Sequence, residues 1–112
     1  MAQDKSEILQ GTLDLMILQS LQSMGPLHAW GIARRLEQVS DDVLFLNQGT
    51  IYPALVRLEI KGWIKSEWGV SDNNRKAKFF EITKTGRRQL AKETDNWRRI
   101  STIISRLLKK AE

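Results

Sequence analysis

The stretch LNQGTIYPALVRLEIKG, residues 46–62, decides the fold. Asn47 is a favourable N-cap residue, and Gly62 is a typical C-terminal stop. The apolar spacing between them predicts a helix from about residue 48 to residue 61. Four apolar side chains of this helix are expected to face the core: Ile51, Leu55, Leu58 and Ile60.

Two further helices are predicted before this stretch. Residues 8–24 carry apolar side chains at intervals of three and four, and Gly25-Pro26 ends that pattern. Residues 28–39 predict the second helix, and the apolar run at residues 43–46 predicts a brief strand. The second helix is expected to turn five side chains inward: Trp30, Ile32, Ala33, Leu36 and Val39.

The period of the sequence changes after Gly62. Residues 63–68 and 78–82 are rich in β-formers, with turn-forming and charged residues between them, which predicts a β-hairpin with a basic tip. From Thr83 onward the pattern is helical, with an apolar stripe close to a heptad repeat. We expect this helix to dimerise through Leu90, Trp97, Ile100, Ile104 and Leu107.

The order of these elements predicts the fold class. Three helices, a two-stranded hairpin and a final helix give a mainly α chain with a small β-hairpin, the plan of a winged helix-turn-helix. Residues 1–83 would form the winged helix-turn-helix, and residues 84–112 the C-terminal dimerisation helix of the same compact unit.

The third helix and the hairpin tip are the candidate DNA-binding elements. Helix-turn-helix modules place such a helix in the major groove, where amides, hydroxyls and cations contact base edges and phosphates. Gly49 either permits a close approach to a phosphate or serves as a simple turn glycine. The expected DNA contacts are Gln48, Gly49, Thr50, Tyr52, Arg57 and Lys61 on the helix, with Asn74, Arg75, Lys76 and Lys78 on the hairpin.

The distribution of charge agrees with a polyanionic partner. The formal net charge is +5, and residues 48–112 hold fifteen of the eighteen Lys and Arg residues but only seven of the thirteen Asp and Glu residues. A basic half of this kind indicates nucleic acid, or else a solvated surface with an accidental bias.

Catalysis finds little support in the sequence. Cysteine is absent, and the single histidine, His28, lies at a predicted helix start, where capping is its expected role. No phosphate-binding loop, metal-ligand cluster or nucleophile elbow is present. We therefore expect no enzyme, no metal and no cofactor. The polar N-terminus lacks a secretory signal pattern, so a cytoplasmic protein is expected.

Several motifs resemble the PadR family of bacterial transcriptional regulators. The resemblance rests chiefly on GTIYPAL at residues 49–55, RLE at 57–59 and GWI at 62–64. GTLDL at residues 11–15 and the hairpin pattern RKAKFF at 75–80 support it. The wing often contains a proline in this family, and this chain has none there.

The resemblance implies a homodimeric repressor that binds an inverted-repeat operator in double-stranded DNA and is released by a small molecule or another signal. The short C-terminal part is similar to the branch with one terminal helix. In some members of that branch an aromatic residue on this helix stacks on planar aromatic ligands, and Trp97 matches its place. Alternatively, Trp97 is only an anchor of the dimer interface.

Two other functions remain open from the residues. A winged helix can be a protein-interaction module, which would require an exposed apolar surface on the third helix. The outer face of that helix is expected to be polar and partly cationic, which favours DNA. The third possibility is a sensor of aromatic ligands with only weak DNA binding.

Overall fold

The computed structural model describes the backbone of residues 2–110 and the side chains of residues 12–109. The fold is mainly α with a small sheet, as the sequence predicts. Its elements are α1 (Ala2–Met24), β1 (Leu27–His28), α2 (Ala29–Val39), α3 (Gln48–Ile60), β2 (Ile64–Val70), β3 (Lys76–Ile82) and α4 (Lys84–Lys110). The sheet is antiparallel throughout, in the order β1-β3-β2.

Helix α1 lies at the centre of the molecule. It packs against α2, α3, β3 and α4, which is why Ile17 and Leu18 are both fully buried although they are adjacent in sequence. The helix begins at Ala2, six residues before the predicted start. None of the described helices is long and apolar enough to cross a membrane.

Helix α2 begins where the sequence predicts. The Nδ1 atom of His28 accepts a hydrogen bond from the Gly31 backbone N–H at 2.9 Å, so His28 is the N-cap. The helix buries Ala29, Ile32 and Leu36. Trp30 is 65% exposed and Val39 63%, so the prediction that both face inward is wrong. Ala29, Ile32 and Leu36 are spaced so that they lie on the one face of α2 that packs against the core, and Trp30 points to a different face.

Besides the two strands of the hairpin, the sheet contains one more strand, β1, and it is not the strand that the sequence predicted. Residues 43–46 form no strand, because Ser40 folds them into a turn: its carbonyl oxygen accepts from the Val43 N–H at 3.1 Å and its Oγ from the Leu44 N–H at 2.9 Å. The left-handed backbone of Asp41 and Asp42 precedes this segment. Instead, Leu27 and His28 pair with Phe80 and Phe79.

The hairpin is longer than predicted, and only its base is buried. Ile64 pairs with Ile82 and Ser66 with Phe80. Ile64, Ile82 and Phe80 belong to the core, whereas the strands continue beyond it to Val70 and Lys76. The outer part therefore projects as a wing.

The start of α4 is fixed against the base of this wing. The Thr83 Oγ1 accepts a hydrogen bond from the Gly86 N–H at 3.0 Å and donates one to the Gly62 carbonyl at 2.7 Å. A Cβ atom on Gly86 would overlap the backbone carbonyl oxygen of Trp63. Glycine at position 86 thus allows the first turn of α4 to pack directly on the chain entering β2.

Candidate nucleic-acid interface

The first turn of α3 is open to solvent and capped by a side chain. The Asn47 Oδ1 accepts hydrogen bonds from the backbone N–H of Thr50 at 3.0 Å and from its Oγ1 at 3.2 Å. The cap satisfies one of the free N–H groups at this helix start. Gln48 and Gly49 are exposed in the same turn, so a backbone phosphate or a base edge can approach it.

Two polar contacts fix α3 in the fold. The Arg57 Nη2 lies 2.6 Å from the Asp14 Oδ1 of α1, and the Ser66 Oγ of β2 donates to the Glu59 Oε2 at 2.6 Å. Arg57 is therefore turned toward α1 and held by a carboxylate. The DNA contact predicted for Arg57 stays a prediction, because its side chain is 37% exposed while it pairs with Asp14.

The outward face of α3 is apolar along its centre. Tyr52, Val56 and Ile60 are 44%, 52% and 80% exposed, and their spacing of four places them on one line along the helix. We call these three residues the α3 stripe. The predictions of a polar outer face and of an inward Ile60 are wrong, because Ile51, Ala54, Leu55 and Leu58 already fill the contact with the core.

The wing tip is closed by a turn that needs no proline. The Ser71 N–H donates to the Arg75 carbonyl at 2.8 Å, and the Asn74 N–H donates to the Ser71 carbonyl at 2.8 Å. Asn74 has a φ of 61°, a left-handed conformation that asparagine tolerates better than most residues. The tip thus obtains a defined shape from Ser71 and Asn74.

The wing presents its cations beside an aromatic ring. The Lys76 Nζ lies 5.4 Å from the centre of the Trp68 ring, and Lys78 is opposite Trp68 in the register. Among the described side chains, neither lysine pairs with a carboxylate. Their positive charge therefore remains available to a phosphate.

This cationic face of the wing is the one directed toward α3. Residues on one strand alternate between faces, so Ser66 and Trp68 share a face of β2. Ser66 contacts Glu59 of α3. Lys76 and Lys78, paired with that same face, consequently lie on the α3 side of the sheet.

The remaining predicted DNA contacts differ in exposure. Lys61 follows α3, and its Nζ lies 4.7 Å from the centre of the Trp63 ring. The exposed residues of the predicted set are Gln48, Gly49, Tyr52, Lys61, Asn74, Arg75 and Lys76; those partly buried are Thr50, Arg57 and Lys78.

Beyond the core, α4 carries an exposed apolar surface. We call Trp97, Ile100, Ile103, Ile104, Leu107 and Leu108 the α4 stripe; each side chain is about half exposed or more. Leu90 is only 6% exposed and belongs to the core of its own chain, which corrects its assignment to a dimer interface. Ala111, which continues the seven-residue spacing of Trp97 and Ile104 in the sequence, lies outside the described residues.

Sequence reasoning missed the α3 stripe and the role of Asp14. The spacing 52-56-60 was visible in the sequence, but assigning it to the outside required the positions of the packing partners. A third missed feature is an open groove of about 380 Å³, lined among others by Trp30, Phe45 and Gln48, at the start of α3. Within the described part of the chain, no group of three His, Asp or Glu residues could hold a metal ion.

A helix with an exposed first turn, braced by two others and flanked by a basic hairpin, defines a winged helix-turn-helix DNA-binding protein. Residues 17–92 match the model of the transcriptional regulator PadR-like family. The chain belongs to this family and is a DNA-binding transcriptional regulator of a non-enzymatic class.

Solved structures agree with this assignment. A PadR-like transcriptional regulator from Bacillus cereus is 27% identical, with a TM-score of 0.78 over 91% of this chain and 96% of that one. A PadR family transcription regulator from Clostridium difficile is 30% identical, with a TM-score of 0.72 over 85% of this chain and 96% of that one. An uncharacterized protein of Lysinibacillus sphaericus is 25% identical over 89% of this chain and 91% of its own length.

Proposed function

We propose that this regulator is a cytoplasmic homodimeric repressor that binds an inverted-repeat operator and is released by a small molecule or another signal. The observation that carries the proposal is that the cationic face of the wing lies on the side of the sheet where Ser66 contacts Glu59 of α3, the helix whose first turn is exposed. One element can enter the major groove while the other neutralises phosphates.

The α4 stripe supports the dimer. Apolar side chains on one face of a helix are stabilised when a second copy covers them, and two-fold symmetry makes such a patch self-complementary. Trp97, Ile100, Ile104 and Leu107 are the proposed contacts. A dimer would present two α3 helices to half-sites about 34 Å apart, so a change in their separation would change DNA affinity.

Trp97 is the proposed contact for a planar aromatic signal molecule. Its side chain is exposed in the single chain and lies at the start of the α4 stripe. A flat ligand stacked there would alter the packing of the two α4 helices. Quenching of tryptophan fluorescence by planar aromatic compounds, lost in Trp97→Leu, would support this role. Quenching that persists in Trp97→Leu, or none from a broad panel, would leave Trp97 as a dimer anchor.

The central test is binding of the protein to DNA upstream of its own gene, against scrambled competitor, at several salt concentrations. We expect tight binding that survives the competitor. The slope of the logarithm of the binding constant against the logarithm of the salt concentration should correspond to several phosphate contacts. Equal, weak binding to both DNAs that disappears at moderate salt would contradict an operator at that place.

A second candidate, a protein-interaction module, is favoured by one observation. The α3 stripe is the exposed apolar surface that such a module requires. Random-sequence DNA selection separates the two functions. Enrichment of a symmetric sequence supports the repressor, and no enrichment supports protein docking. Weak DNA binding together with tight binding of an aromatic compound would instead support a ligand sensor.

A further inference from the structure

The α3 stripe is an unusual surface for a helix that enters a DNA groove. Tyr52, Val56 and Ile60 remain 44%, 52% and 80% exposed in the part of the chain that the structure describes. The guanidinium of Arg57 and the carboxylate of Glu59, which lie between Val56 and Ile60 in sequence, are both engaged in contacts within the protein. The surface that the middle of α3 presents to a binding partner is therefore mainly apolar.

The surroundings of the stripe indicate DNA as its occupant. Lys61 follows it in sequence, the cationic wing face lies on the same side of the sheet as α3, and the helix start carries a positive partial charge. Protein interfaces tend to lose charged residues at their centres, whereas DNA interfaces are strongly positive. Tyr52 and Ile60 are eight residues apart, about 12 Å along the axis, comparable with the rise of three to four base pairs.

The chemistry of the major groove narrows what an apolar side chain can recognise. Thymine alone presents a methyl group there; the other edges are hydrogen-bond donors and acceptors. The isopropyl group of Val56 has no donor or acceptor, so a polar edge covered by it would lose water without gaining a partner. A thymine methyl loses nothing by that contact and leaves water together with Val56.

We propose that Val56 is a specificity-determining residue that reads the methyl group of one thymine in each operator half-site, with Tyr52 beside it. The inference rests on the proposed operator binding. According to this proposal, the protein prefers one base at this position because the base carries an apolar methyl group, not because of its hydrogen-bond donors and acceptors.

The test uses an operator obtained by selection from random DNA, in which each thymine is replaced in turn by deoxyuridine. Loss of one methyl contact should weaken binding about fourfold, as expected for one buried methyl group. With the wild-type protein, one thymine position that recurs in both half-sites should show this weakening. With Val56→Ala, the same replacement should no longer weaken binding. Replacing that thymine by 5-methylcytosine should preserve affinity better than unmethylated cytosine does.

Val39→Ala is the matched control, because Val39 is an exposed valine at the end of α2, outside the proposed DNA contacts; it should keep the full response to deoxyuridine. The proposal is overturned if no thymine responds, or if Val56→Ala retains the same response as the wild type. If selection enriches no DNA sequence, both the inference and the repressor function fail. If it enriches one and the deoxyuridine scan is flat, only the inference fails.

Discussion

Arg57 of α3 and Asp14 of α1 form an ion pair with 2.6 Å between Nη2 and Oδ1. The two residues are 43 positions apart in sequence, and the carboxylate is the more buried partner. Burial of Ile51, Ala54, Leu55 and Leu58 sets which face of α3 points inward, and the ion pair adds a polar contact between α3 and α1.

Breaking this pair should destabilise the fold. Arg57→Ala and Asp14→Ala should each lower the free energy of unfolding by about 1 kcal/mol, with a coupling of about 0.5 kcal/mol or more between them. Urea denaturation of both single variants and the double variant measures the coupling. Additive effects would show that the pair contributes nothing.

The same two variants also show whether Arg57 contacts DNA. An equal loss of operator affinity in Arg57→Ala and Asp14→Ala indicates that the pair positions α3. A loss in Arg57→Ala alone indicates a phosphate contact.

Tyr52 should matter for specific binding but not for folding. Its ring is 44% exposed on the α3 stripe, so Tyr52→Ala should weaken operator binding by about 1–3 kcal/mol while the melting temperature stays nearly constant. Fluorescence anisotropy with labelled operator gives the affinity. Tyr52→Phe is the control that isolates the hydroxyl group. Unchanged affinity in Tyr52→Ala would remove this residue from the site.

The wing cations should act through phosphates. Arg75→Ala or Lys76→Ala should weaken binding to all DNA sequences and reduce the magnitude of the salt slope by about one. The control is Lys65→Ala, because Lys65 lies near the base of the same hairpin, on the face away from α3, 3.9 Å from Glu81. Slopes that remain equal to the wild type in the tip variants would argue against phosphate contact.

Two glycines should differ in how strongly their replacement by alanine affects stability. Gly86→Ala places a methyl group on the Trp63 carbonyl and should cost about 2–3 kcal/mol of stability. At Gly49 the added Cβ would lie 3.3 Å from the Asn47 Oδ1, a tight contact that a small shift of this side chain relieves, so Gly49→Ala should change stability by less than about 1 kcal/mol. If the start of α3 approaches DNA closely, that variant should still lose operator affinity. Thermal melts and anisotropy measure the two properties, and a stable Gly86→Ala variant would contradict the close packing.

Dimerisation should depend on one face of α4. Ile104→Asp places a charge in the α4 stripe and should shift the protein from dimer to monomer in sedimentation experiments, with a loss of operator affinity. Thr102→Asp makes the same charge change on the opposite, exposed face of α4, where the Thr102 hydroxyl donates to the Arg98 carbonyl at 2.9 Å, and should leave the dimer intact. A dimeric Ile104→Asp variant would require another interface.

Much of the fold could be predicted because its signals are local. Asn47 as a cap, the end of α3 before Gly62 and the change of period after it depend on residues within one or two turns of each other. The helical order and the hairpin followed from these signals, as did the capping role of His28. The short strand at Leu27–His28 carries no such signal, because only its pairing with β3 makes it a strand.

The sequence by itself determined the succession of helices and hairpin, the basic wing and the family. Tertiary structure decided which face of each helix is covered. Ile51 is buried and Ile60 exposed, although both are β-branched apolar residues of one helix, and Arg57 meets a carboxylate from a distant helix. Burial depends on the neighbours that packing brings from elsewhere in the chain, and periodicity within one helix gives the spacing of a face but not its partner.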